Sequence, residues 1–489
     1  MLKLLIEKEL KNIINSPKFF ATFATCSVLI LTSIGIGIKE FNNSVKQYNT
    51  ATSLSEQEMM QSHSWMSLTA KAYRPPDPMQ IFSAGVNNDI GRFSQVNARN
   101  DVKLQNSYYS DDPIYAVFQY IDFTFIVTVV FSLFAILFTY NSINGEKEDG
   151  TLRLVFSNSI PRSTFISAKF IGSWLGLVIP LLIPILAGLL LLVIFKVPLT
   201  SIHWVSIILL IVSAILYLTF FSAFGVFISS LTKYSSISFM ILLVAWIVFV
   251  FIIPRIGVMS ASQIIIVPSI AETESQKDSY SKSLWDNHFK QLSDMWAVRN
   301  LQMKGMSDNE RKAFEDDNSY AWLEQEDKLR SEVQKNISDY SLRLNEELRN
   351  KKAMLEKLAL TLSRFSPASS FQFAAMNLAS TGIDQKTLYE NQIQNYKNDF
   401  VAYTEKKQNE SPNQAGMIRI SMDSRKGVKI STGRNDNSLD LHELPKYTAA
   451  GLKFSDILKP TIIDLGLLIL YSIISYAAAF FVFLKYDLR

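Results

Sequence analysis

Apolar residues in this chain gather into six runs, each close to or above the roughly 20 residues a helix needs to cross a bilayer. The runs occupy 19–38, 121–141, 170–195, 204–230, 234–255 and 460–484. This pattern predicts an all-α polytopic membrane protein with six transmembrane helices. Ahead of the first run, residues 1–18 place Leu2, Ile6, Leu10 and Ile13 on one helical face with Glu7, Lys8 and Lys11 elsewhere. That stretch predicts an amphipathic helix lying in the membrane interface before Pro17 turns the chain inward. Pro180 and Pro184 fall inside the third run, where a membrane helix tolerates them if neighbours cover the released carbonyls.

The polar stretches between the runs differ greatly in length. Residues 39–120 include Arg74-Pro75-Pro76-Asp77-Pro78, an extended proline segment. Residues 258–458 are long enough for a domain and read as mainly helical. Leu284, Phe289, Leu292 and Trp296 form one stripe there. Val333, Ile337, Tyr340, Leu344, Leu348, Leu355, Leu358 and Leu362 form a second that steps by three and four, which predicts an α-hairpin or short coiled coil. Farther on, 417–422 and 428–432 flank Ser424-Arg425-Lys426-Gly427 and predict a β-hairpin.

Segment 142–169 is the charged, turn-forming link between the second and third runs. Glu146, Lys147, Glu148 and Asp149 lead into Gly150, a place to turn. Thr151 is positioned to cap a short helix, Leu152-Arg153-Leu154-Val155-Phe156, whose apolar face needs something to pack on. Pro161 stops that helix, and Arg162 follows. Such a helix at a membrane edge suits docking on a soluble partner; a positively flanked hairpin loop without a partner fits the same residues.

Charge then orients the chain. Lys3, Lys8, Lys11, Lys18, Lys147, Arg153, Arg162, Lys169, Lys233, Lys485 and Arg489 all fall on one side of a six-span arrangement, against Lys196 on the short opposite loop. The basic side is expected to be cytoplasmic, which places the chain in the cell (inner, cytoplasmic) membrane with both termini cytoplasmic and 39–120 and 258–458 extracytoplasmic. A formal net charge of +4 gives no reason to expect a nucleic-acid partner. The single cysteine, Cys26, excludes an intrachain disulfide or a cysteine metal site. The sequence contains no G-x-x-x-x-G-K-[ST] loop and no H-E-x-x-H, and nothing marks a nucleophile elbow. The chain is therefore read as non-catalytic, with no cofactor of its own.

Three ionisable residues fall at or inside the ends of spans opposite the basic side: Asp122, Arg255 and Asp464. Charges there usually face a partner or water. An outer gate in which Arg255 holds one or both carboxylates is one reading, and snorkelling to headgroups is the other. Met59, His63 and Met66 in EMMQSHSWM would share a face if the stretch is helical, with Met60 beside them. Soft thioethers with an imidazole suit Cu(I), although methionines beside Trp65 more commonly form a packing face, and no metal is expected on this basis.

Glu146-x-x-x-Gly150-Thr151-Leu152, followed by Ser159-Ile160-Pro161-Arg162 and Lys169, resembles the cytoplasmic hinge of ATP-binding-cassette export permeases. The permeases of the copper-enzyme (nitrous-oxide reductase) maturation system are the nearest in kind. Arg364-Phe365-Ser366-Pro367-Ala368 and the closing Lys485-Tyr486-Asp487-Leu488-Arg489 extend the likeness. One departure is Asn158-Ser159-Ile160, where that family usually has a Pro- or Val-containing turn. The resemblance implies that 142–169 is a coupling segment in which Glu146, Gly150, Thr151, Leu152, Leu154, Phe156 and Arg162 engage an ATPase subunit. It further implies two ATPase copies carrying ATP and Mg, a second permease, identical or homologous, and surrounding lipid, and leaves room for an extracytoplasmic partner. The expected function is export of a substrate driven by that ATPase; the alternative is a mechanotransmitting subunit that works an extracytoplasmic partner without moving cargo.

Overall fold

The computed structural model describes residues 1–87, 92–97, 104–105, 122–157, 160–410, 418–423, 427–432, 439–451 and 453–485. Ser159, the hairpin residues 424–426 and the closing residues 486–489 lie outside the described residues.

Helix α1 (Leu2–Ile14) and helix α2 (Pro17–Met60) are separated at Ser16, whose hydroxyl accepts the Phe19 N–H at 3.2 Å while Pro17 opens α2. The buried seam of α2 is Thr22, Cys26, Ile30, Ile34 and Ile38, a step of four that keeps one stripe inward. The helix does not stop at 38. Residues 39–60 contain neither glycine nor proline, so nothing in the backbone ends it until Gln61. Beyond it, β1 (Ala70–Tyr73), β2 (Phe93–Val96) and β3 (Leu104–Gln105) form an antiparallel sheet in the order β1-β2-β3, with Ala72 opposite Ser94.

The second span is α3 (Phe123–Glu148), followed by the short α4 (Thr151–Ser157), α5 (Arg162–Ile194), α6 (Ser201–Leu231) and α7 (Ser235–Ile264). Then come α8 (Ile270–Gln302), α9 (Asp308–Ser363), α10 (Pro367–Leu378) and α11 (Ile383–Glu410). Strands β4 (Ile418–Asp423) and β5 (Gly427–Thr432) pair as the predicted hairpin, and α12 (Phe454–Leu484) closes the chain. Among the described residues six helices, α2, α3, α5, α6, α7 and α12, are long and apolar enough to cross a membrane.

Small residues set the closest approaches. A Cβ on Gly172 or Gly176 of α5 would stand 2.6 Å from Glu9 Cβ or 2.8 Å from Ile13 Cγ2. The four-residue step of these glycines thus seats α1 against α5. Two spans also widen locally into π-helix, at Ile126–Phe131 and Val248–Ile252. Pro254 follows the second of these and has no N–H to give the i−5 carbonyl of Phe249. The Ser366 hydroxyl donates to that carbonyl, and Ser363 Oγ donates to the Pro254 carbonyl at 3.1 Å. Phe371 of α10 stacks on the buried Tyr217 of α6, with ring centroids 5.0 Å apart.

These contacts revise the expected domain boundary. Gly257–Leu362 forms one compact helical unit, whereas Ser363–Arg489 belongs with Met1–Ile256. The stretch 258–458 is thus not a single domain, because α10 is apolar along most of its length and is buried against the span helices. Within the unit Gly257–Leu362 the predicted α-hairpin is present as α8 and α9, with Gly305 between them at φ +98. Tyr280 stacks on Tyr340 at 4.0 Å, and Arg299 pairs with Glu326 at 2.6 Å.

Candidate functional site

Side-chain hydrogen bonds tie the end of α3 to the ends of α6 and α7. Asn144 is buried; its main-chain N–H and that of Ile143 donate to Ser229 Oγ at 3.3 and 3.0 Å, and its side-chain amide donates to Thr232 Oγ1 at 3.0 Å. Lys147 Nζ donates to the carbonyls of Ser230 and Thr232 at 2.8 and 3.1 Å, covering the C-terminal end of α6. Glu148 accepts from the Ser235 N–H at 2.9 Å and the Ser235 hydroxyl at 2.6 Å, so it caps α7 from outside that helix.

Glu146 turns the other way. Lys169 of α5, 5% exposed, stands 2.5 Å from Glu146 Oε1 and 2.6 Å from Glu9 Oε1 of α1. One ammonium therefore holds two carboxylates from two other helices, and Glu146 Oε2 is enclosed without a hydrogen-bond partner. Arg162 Nη1 donates to the Leu484 carbonyl at 2.6 Å, at the end of α12, and Lys18 Nζ donates to Tyr140 Oη at 2.9 Å, joining α2 to α3. Through these bonds segment 142–169 and its flanks reach every spanning helix.

Against this hub the predicted coupling residues divide into two sets. Gly150 sits at φ +71, the left-handed turn expected of it, and joins the end of α3 to α4. Thr151 does not cap α4 from in front: it lies inside the helix and its hydroxyl donates back to the Glu146 carbonyl at 3.4 Å. Leu152 is buried with Ile143, Phe165, Val226 and Phe483, and Phe156 packs on Phe165 and Phe483 at 5.4 and 6.1 Å between ring centroids. Only Leu154 of the three apolar residues points outward, 67% exposed, alongside Thr151, Arg153 and Ser157. The expectation that Leu152, Leu154 and Phe156 together face a partner is therefore corrected. A seven-residue helix makes about two turns, so residues two apart cannot all share a face. Asn144, Lys147, Glu148 and Glu9 had no signal in the sequence beyond ordinary polarity.

The predicted outer pairing is also corrected. Asp464, fully buried, is gripped by Arg364, with Nε to Oδ1 at 2.6 Å and Nη2 to Oδ2 at 3.2 Å, a two-point contact. Arg255 is exposed and lies over the Phe251 ring at 6.0 Å. Pro254 has drawn the start of α10 to α7, and that brings Arg364 rather than Arg255 to α12. Asp122 caps α3, accepting the Phe125 N–H at 2.8 Å, and also accepts the Ala84 N–H at 2.9 Å. Asp122 and Arg255 line one small cavity of about 50 Å³ together with Thr128 and Met376.

Met59, His63 and Met66 do not share a helical face, because α2 ends at Met60, His63 follows in irregular chain and Met66 in a turn. Met59 packs with Tyr403 against a core that includes Trp65 and Tyr396.

Six span-length helices, tied at one end by a short helix-bearing link with one exposed apolar residue, make the architecture of a multi-pass membrane protein. The chain belongs to the ABC-2 family: the model for the ABC-2 family transporter protein matches residues 4–488. Membership makes it a permease component of an ATP-binding-cassette transporter, and it implies partnership with an ABC ATPase subunit. No curated protein matches the chain.

Proposed function

We propose that the chain is the export permease half of such a transporter, working as a dimer of permeases in the cell membrane with both termini cytoplasmic. Two ATPase subunits carry ATP and Mg, and their closure pushes on α4 through Leu154. The observation that supports this best is the placement of one exposed leucine on a short helix whose opposite face is anchored in the bundle by Leu152 and Phe156. A push on Leu154 then reaches α5 through Lys169, α6 and α7 through Asn144, Lys147 and Glu148, and α12 through Arg162. The resemblance to copper-enzyme maturation permeases adds no cargo to this reading.

Replacing Leu154 by Ser removes an apolar docking contact worth about 2 kcal/mol, or roughly 30-fold in affinity for the ATPase. Copurification of the permease variant with its ATPase measures this, and undiminished assembly with full ATP turnover would overturn the docking assignment. Membrane sidedness has its own check. A cysteine at Ser157 is expected to react with an impermeant maleimide only from the cytoplasm, and one at Ser331 only from outside. Both positions are exposed, so accessibility does not confound the comparison.

Force transmission to an outer partner is a second reading, favoured by α2. Its 44 residues make a rod of about 66 Å at 1.5 Å per residue, roughly twice the thickness of the hydrocarbon core. Such a helix would carry tilting of the bundle directly into the segments beyond Met60. Retained function with a sealed permease interface, tested by crosslinking across the dimer, separates this reading from export.

A further inference from the structure

We infer that the cavity beside β1, built around Arg74 and Gln80, is a binding site for an oxyanion, either a carboxylate or a phosphate group. The cavity holds about 290 Å³ and lies between α2 and the chain that follows β1, with Gln47, Tyr48, Tyr73 and Arg92 also in its wall. Two of its described lining residues are arginines and none is Asp or Glu.

Two enclosed donors belong to residues of its wall. Arg74 Nη2 donates to the Asn87 carbonyl, which fixes the guanidinium, while Nη1 is shut off from solvent with no hydrogen-bond partner. Gln80 Oε1 accepts from Asn87 Nδ2 at 2.6 Å, which leaves Gln80 Nε2 as a second enclosed donor with no partner. Two unpaired buried donors on residues of one cavity wall are expensive unless an acceptor reaches them. Asp77 acts on Arg74 by charge from nearby without pairing with it: its carboxylate accepts the Met79 N–H at 2.8 Å and stands 3.9 Å from His203 Nε2. Among the described residues Arg74 forms no ion pair. Burial draws its guanidinium down to about 10, so it remains charged at neutral pH. Arg92 adds a second positive charge at the rim, where its Nη1 donates to Gln47 Oε1 at 2.7 Å. A planar fork with one free edge suits an oxygen of a carboxylate or phosphate.

A second cavity adjoins this one. Tyr48 and Tyr73 line both this cavity and a larger one of about 560 Å³, which also presents Met59, Tyr396, Leu444 and Tyr447. The larger cavity mixes these aromatic walls with Glu56, Lys71, Asp440 and Lys446.

The test uses the full chain in phosphatidylcholine nanodiscs. Inorganic phosphate and N-acetylphenylalaninate are titrated as soluble probes. Native mass spectrometry of the chain from phosphatidylglycerol nanodiscs reads retention of an anionic lipid. At least one probe is expected to bind below about 10 mM, and Arg74→Gln to weaken it at least tenfold. Because Arg74 also holds the Asn87 carbonyl, Gln80→Glu is the second variant; it keeps the side-chain size and opposes the anion by charge, with the same loss expected. Retention of phosphatidylglycerol lost in the variants names a lipid phosphate as the source, whereas variant-sensitive binding of a soluble probe names a free anion. No binding of any probe to the wild-type chain, or binding equal in wild type and in folded Gln80→Glu, overturns the proposal.

Discussion

Lys169→Met is expected to destabilise the folded chain by about 3–5 kcal/mol, because it leaves two carboxylates facing each other out of water with no cation between them. Glu9 and Glu146 are only 13% and 16% exposed at the side chain, so solvent cannot take over the role of the ammonium. The loss falls first on the seating of α1, whose attachment to α5 otherwise rests on the close approach at Gly172 and Gly176. Limited trypsin digestion should then cut at Lys8 or Lys11 in the variant well before it does in wild type, and the thermal midpoint in detergent should fall. Changing a carboxylate has the opposite weight. The cluster holds one positive and two negative charges, so Glu9→Gln removes the surplus charge and leaves a matched pair. That variant should shift stability by no more than about 1 kcal/mol. The triple change Glu9→Gln, Lys169→Met, Glu146→Gln should recover most of what Lys169→Met loses, since no ion is stranded. If Lys169→Met and Glu9→Gln are equally harmful, the three residues do not act as one ion cluster.

How much of this could be read beforehand depends on what kind of signal each feature leaves. The six spans are legible because crossing a bilayer demands a long apolar run, and the demand is written directly into residues 170–195 or 460–484. The turn at Gly150 is legible for a related reason, since few residues other than glycine occupy its positive φ. The length of α2 is only partly marked: Phe41, Val45 and Tyr48 carry on the seam of Ile34 and Ile38, but farther on the residues are mostly polar and the absence of glycine and proline over 39–60 is what remains. The face of α4 was misread because a run of alternating Leu-Arg-Leu-Val-Phe gives no helical phase; the phase is set by which residue meets Phe165 and Phe483. Asn144, Lys147 and Glu148 look like any charged link in sequence. Their partners Ser229, Ser230, Thr232 and Ser235 lie 83 to 91 residues away, and only the folded hairpins bring them together.

Arg364 exposes the limit of pairing charges by their place along the chain. Arg255 and Asp464 sit at adjoining span ends, which made them a plausible couple, but α10 folds back into the bundle and supplies a better cation. Asp464→Ala is therefore expected to destabilise the chain by about 3 kcal/mol, the lower end for breaking a buried pair, because Arg364 keeps 20% of its side chain exposed and can partly rehydrate. Arg364→Ala leaves the fully buried carboxylate alone, so it should cost at least as much. Among the described residues Arg255 forms no ion pair and lies over the Phe251 ring, so Arg255→Gln should cost below about 1 kcal/mol. A double-mutant cycle on thermal midpoints decides between the two pairings. Arg364→Ala combined with Asp464→Ala should be less harmful than the sum of the singles, whereas Arg255→Gln should add to Asp464→Ala without coupling. Exchanging the partners, Arg364→Asp with Asp464→Arg, should restore part of the stability, limited by how well an arginine fits the site of a fully buried aspartate on α12. Strong coupling of Arg255 with Asp464, and none of Arg364, would show that the arginine holding α12 is Arg255 after all.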